Sequence, residues 1–141
     1  MNMKDAVVSV LTNWNNYRDR ACRSEFWYFT LAVCLVGLII SIIEIATGMV
    51  DGWSVEGGTL SLIFSLLILP PSISVTARRL HDIGWSGWWQ VPAVLIFIGG
   101  TVFGWSDWWN YLNIIAILVY TVLCALPATE DENKWGRNPL I

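Results

Sequence analysis

Residues 75–89 read VTARRLHDIGWSGWW. Two arginines, a histidine and an aspartate follow directly on an apolar run, and two tryptophans open the next run. Such a seam marks where one apolar helix leaves a low-dielectric layer and another enters it, because unpaired charge is costly there and tryptophan prefers the headgroup level. Local chemistry supports helix ends on both sides. Gly84 suits the position just past a helix C-terminus, Ser86 suits an N-cap, and Pro92 falls within the following first turns. With the helix continued to Asp82, Arg78 stands at i,i+4 and Arg79 at i,i+3, so one carboxylate can meet either guanidinium.

Working outward from this seam, four apolar runs are long enough to cross a hydrocarbon layer about 30 Å thick. They cover residues 26–46, 60–80, 88–104 and 109–126. The third is the shortest and recruits flanking tryptophans at the interface. Composition agrees: 55% of the 141 residues are hydrophobic and 13% charged, against roughly 45–50% and 25% in soluble domains. No tryptophan falls in the middle of a run. Lys4, Arg18, Arg20 and Arg23 precede the first run, Arg78 and Arg79 separate the second and third, and Lys134 and Arg137 follow the fourth. Basic residues stay on the cytoplasmic side, so both termini are expected there.

The expected fold is therefore an all-α membrane protein, one domain over residues 1–141. Four transmembrane helices form two helical hairpins, with both termini inside and a cytoplasmic tail at 127–141. Ahead of them lies a leader at 4–24. Its Val7, Val10, Leu11 and Trp14 stand at helical spacing, as in a short interfacial helix or one packed on the bundle's end. The chain shows no signal-peptide pattern. A net charge of -3 without a basic stripe gives no nucleic-acid footprint. Cys22, Cys34 and Cys124 make no metal-type spacing, so no metal or cofactor is expected.

Candidates for chemistry gather on the cytoplasmic face. Arg20, Arg23 and Glu25, with Arg78, Arg79, His81 and Asp82, make an anion- or lipid-binding face at a membrane interface. Simple topology anchoring, with the arginines snorkelling to water, is the plainer reading. No residue is assigned as catalytic. Pro70 and Pro71 each remove a donor, and together they are expected to break the second helix near Leu66 and Leu67. Glu44, the only carboxylate inside an apolar run, is expected to snorkel to the outer headgroups. Further polar residues at depth, as an ion pathway would need, are not evident.

Three segments, DRACRSEFWYF at 19–29, LPPSISVTARRLHDIGWSGWW at 69–89 and NKWGRNP at 133–139, resemble the family classed as domain of unknown function 805, small bacterial inner-membrane proteins of the YhaH and YhaI type. Matching positions include Arg20, Arg23, Glu25, Trp27, Pro70, Arg78, Arg79, His81, Asp82, Gly84, Ser86, Gly87, Trp88, Asn133, Gly136 and Pro139; Pro71 accompanies Pro70 as a structural residue. Asp19 and Trp85 depart from the family's pattern, as does the tail around Ala128 and Asp131. The resemblance implies a multi-helix inner-membrane protein and supplies no catalytic residue. The leading expectation is a non-enzymatic protein whose cytoplasmic face binds anionic lipid headgroups, a partner protein or a second copy. Competing expectations are a transporter or channel component using the Pro70-Pro71 break, and a membrane enzyme acting on a phosphorylated lipid through His81 and Asp82.

Overall fold

The computed structural model describes residues 1–50, 58–104, 107–128 and 131–137. Five α-helices account for most of them: α1 (Met3–Thr12), α2 (Arg23–Ala46), α3 (Thr59–Asp82), α4 (Val91–Phe103) and α5 (Asp107–Ala125). A 3-10 turn, Gly87–Gln90, leads into α4, and the tail forms an antiparallel hairpin of β1 (Glu132–Asn133) and β2 (Gly136–Arg137). Among the described residues three helices, α2, α3 and α5, are long and apolar enough to cross a membrane. The third expected run is the exception, since the 3-10 turn and the thirteen-residue α4 share it.

Outward surfaces explain the composition. Leu67 is 71% exposed, Leu66 59%, and Ile39 and Ile115 57% each. A continuous apolar exterior of this kind suits lipid and would aggregate in water. Polar contacts concentrate instead at one end of the bundle, where α2 and α4 begin and α3 and α5 finish. At that end Val10, Ala21, Phe29 and Val75 form the buried apolar core. α1 contributes Ala6 and Val10 to the interior and leaves Met3, Val8 and Leu11, with nearby Trp14, on its outer side. The leader helix thus packs on the bundle with one face while the other exposes these apolar side chains beside Lys4, Asp5 and Thr12.

Two expectations change. α3 runs unbroken through Pro70 and Pro71. Each proline deletes only its own donor, so the neighbouring helical bonds persist, and in an apolar layer abandoning them would cost more than the two lost. Two nearby serines bond elsewhere: Ser65 donates to Ser61, and Ser74 reaches the carbonyls of Asn13 and Asn16 at 2.9 and 2.7 Å. Glu44 does not snorkel either. It is 1% exposed and accepts from the backbone N–H groups of Gly58 at 3.1 Å and Ser61 at 3.0 Å, and from the Ser61 hydroxyl. Gly58, the N-cap of α3, has no side chain to offer, so the carboxylate of α2 performs the capping from across the helix pair. Pro139 lies outside the described residues, as do Trp53 and Trp105.

Candidate functional site

The RRLHD segment occupies the last turn of α3, and its backbone ends in a Schellman turn. The Trp85 N–H donates to the Leu80 carbonyl at 2.9 Å and the Gly84 N–H to the His81 carbonyl at 3.1 Å. Gly84 has φ +82°, a left-handed conformation that glycine adopts at least cost. Ser86 then caps the 3-10 turn through the Trp88 N–H. That turn returns so closely that a Cβ on Gly87 would stand 2.9 Å from the Ala77 Cβ and 3.3 Å from His81 Nε2.

Five charged side chains then interlock at the polar end. Arg20 donates through Nε to Asp82 Oδ1 at 2.9 Å, with Nη2 2.8 Å from the same oxygen, while Arg79 pairs with Oδ2. Arg78, adjacent in sequence, turns away to Glu25 Oε1 at 2.9 Å, where the Ser9 hydroxyl also donates at 2.9 Å. All five are 5% exposed or less. Arg79 additionally donates to the carbonyls of Cys124 and Leu126, closing the C-terminus of α5 from another helix. Among the described residues Arg78 Nε and Nη2 have no hydrogen-bond partner. Three guanidiniums thus share two carboxylates, leaving one positive charge in excess.

The tail completes the cluster. Asn133 donates to the His81 carbonyl at 2.9 Å, and the Gly136 carbonyl accepts from Arg20 at 3.1 Å. Trp135 stacks on the His81 ring with centroids 4.4 Å apart and planes 9° from parallel, and Lys134 Nζ lies 4.0 Å from the Trp135 centroid. His81 Nδ1 faces the Asp19 carbonyl at 3.2 Å. All three sequence segments therefore converge. Arg20, Glu25, Arg78, Arg79, His81 and Asp82 are brought together and buried, whereas Arg23 stays exposed. Snorkelling does not describe the buried arginines, whose three charges face the two carboxylates of Glu25 and Asp82. Trp27 sits in the first turns of α2, half-buried and edge-on to Phe26 at 5.4 Å, and Trp88 is 79% exposed at the same end.

Beside the cluster opens a cavity of about 630 Å³ between α3, the 3-10 turn and α4. Ile73, Ala77, Val91, Val94 and Leu95 give it apolar walls; Arg18, His81 and Trp135 stand at its polar end. A second cavity of about 230 Å³ adjoins it between α3, α4 and α5, with Ile73, Gln90 and Val94 common to both linings. Ser72, Thr76, Asn113 and Tyr120 also line this inner space, polar residues at depth that reading the apolar runs missed. Asn113, alone among apolar neighbours in NIIAILVY, was the signal available. Among the described residues no group of His, Cys, Asp and Glu could hold a metal ion.

Comparison with known proteins gives a consistent kinship. Residues 14–137 match the family described as "Protein of unknown function (DUF805)". The chain is 33% identical over 132 residues to Inner membrane protein YhaI of Escherichia coli (strain K12), spanning 94% of this chain and 92% of that one. It is 29% identical over 137 residues to Inner membrane protein YhaH of the same organism, spanning 96% of each. No solved structure matches.

Proposed function

The chain belongs to the DUF805 family, whose relatives above are inner-membrane proteins, and from that premise we propose that it is a four-span inner-membrane protein that binds an anionic lipid. Both termini lie in the cytoplasm, and the spans form two helical hairpins. Support for the topology comes from the eight basic residues, which fall on one side of four alternating crossings. The 3-10 turn and α4 together reach about 28 Å, close to the thickness of the hydrocarbon layer.

The observation that carries the lipid reading is the larger cavity. Its size lies within the roughly 300–1,000 Å³ usual for ligand sites. Apolar walls suit a lipid chain, and the polar rim suits a phosphate: Arg18 is exposed there, Lys134 rides on Trp135, and the buried cluster behind them carries excess positive charge. Arg20, Arg78 and Arg79 build and bias the site, while Arg18, His81 and Lys134 meet the headgroup.

Native mass spectrometry of the detergent-purified protein, equilibrated with equimolar phosphatidylglycerol and phosphatidylethanolamine, tests this. The wild type is expected to retain phosphatidylglycerol preferentially. The Arg18→Ala/Lys134→Ala variant should lose about thirtyfold of that preference, at about 1 kcal/mol per basic residue near the surface. Equal retention of the two lipids, or a preference untouched by the double substitution, contradicts the reading.

A further inference from the structure

The junction between the two cavities holds an amide with nothing to bind. Gln90 is 9% exposed, lines both spaces, and has no side-chain hydrogen bond among the described residues. It is held in place from either side, since it closes the 3-10 turn and precedes α4, while the Tyr120 hydroxyl of α5 fastens the neighbouring Trp89 carbonyl. The residue is largely buried but its amide opens onto the cavities, so water or a ligand atom has to supply the hydrogen bonds that the protein does not. An unmatched amide facing two cavities is therefore a place for a ligand atom.

Its depth narrows which atom. Thr76, which shares the inner cavity with Gln90, precedes His81 by five residues of α3, a rise of about 7–8 Å. The headgroup layer on each side of a bilayer is about 5–8 Å thick. A phosphate held at the level of Arg18 and His81 therefore places the next polar groups of a glycerophospholipid, its ester carbonyls, at the level of Gln90. The amide NH₂ donates and a carbonyl accepts. Beyond Gln90 the inner cavity continues past Val94 and Phe97, apolar enough for the start of a chain.

We propose that Gln90 reads an acyl ester carbonyl, which makes the ligand an ester-linked glycerophospholipid and Gln90 its specificity-determining residue. This rests on the anionic-lipid reading above and adds the chemistry of the linkage. An amphiphile that joins phosphate to a hydrocarbon chain without a carbonyl leaves the amide unmatched and binds more weakly.

The probe is an equimolar pair of phosphatidylglycerols with equal chains, one ester-linked and one ether-linked, which differ in mass and are counted in one native mass spectrum. The wild type should retain the diester about fivefold over the diether, the value of one ordinary hydrogen bond. Gln90→Met, of similar shape, should bring that ratio to about one. A wild-type ratio of one overturns the proposal and leaves the anionic-lipid reading standing; it needs no variant, so a Gln90→Met chain that fails to fold does not rescue it. An ester preference that survives in Gln90→Met also overturns it. Retention of neither lipid overturns both readings.

Discussion

Asp82 divides one carboxylate between two buried guanidiniums, Arg20 and Arg79, and this makes it the most consequential single side chain in the molecule. Removing the charge strands two cations in a site closed to water, a loss for which buried pairs supply the scale of about 3–5 kcal/mol. Asp82→Asn preserves the shape and should show that loss as an earlier unfolding transition, followed by tryptophan fluorescence in detergent. Unchanged stability would mean that the cluster is hydrated and weak. Half of this wiring was legible beforehand. The Arg79–Asp82 pair follows from helical spacing, whereas the Arg20–Asp82 pair joins residues 62 apart, and periodicity reports only neighbours on one helix. The same limit hid Ser9, which reaches Glu25 from α1. Arg78 shows a different failure. At i,i+4 from Asp82 it was eligible for that carboxylate, but α2 offers Glu25, and Arg79 and Arg20 already fill both oxygens.

Close approach between elements shapes the site as much as charge does. The 3-10 turn lies on α3 with Gly87 against Ala77 and His81, so Gly87→Ala must push the turn outward. Overpacking of this kind costs about 1–3 kcal/mol, and the displaced turn carries Gln90 with it. The expected outcome is a lower thermal midpoint together with weaker lipid retention; a variant matching the wild type in both would show that the apposition is loose. Helix ends were readable from Gly84 and Ser86 because capping is local. The division of the third run was not, since tertiary packing against α3 selects the tight first turn. Pro70 and Pro71 mislead for a related reason: their effect is decided by what the rest of α3 gains in staying helical, and α3 is continuous. Glu44 likewise answers to the bare N-terminus of α3, which no pattern within α2 reveals.

At the scale of the whole molecule the chain is polarised. One end gathers three sequence segments into a charged, tail-covered cluster beside two joined cavities, and the flanks present leucine and isoleucine outward. Composition and charge placement made that polarity legible, because a lipid-facing surface and one-sided cations leave their mark on every run. The cavities were not legible, since they arise from three helices failing to fill the space between them. Everything proposed for the site depends on this polarity being oriented as the positive charges indicate, with cluster, tail and leader facing the cytoplasm. Paired reporter fusions test that directly: a cytoplasm-active fluorescent protein and a periplasm-active phosphatase, each placed after residue 141 and within residues 51–57. The account predicts fluorescence without phosphatase activity at the C-terminus and phosphatase activity without fluorescence at the 51–57 fusion, whereas an active phosphatase at the C-terminus would contradict it.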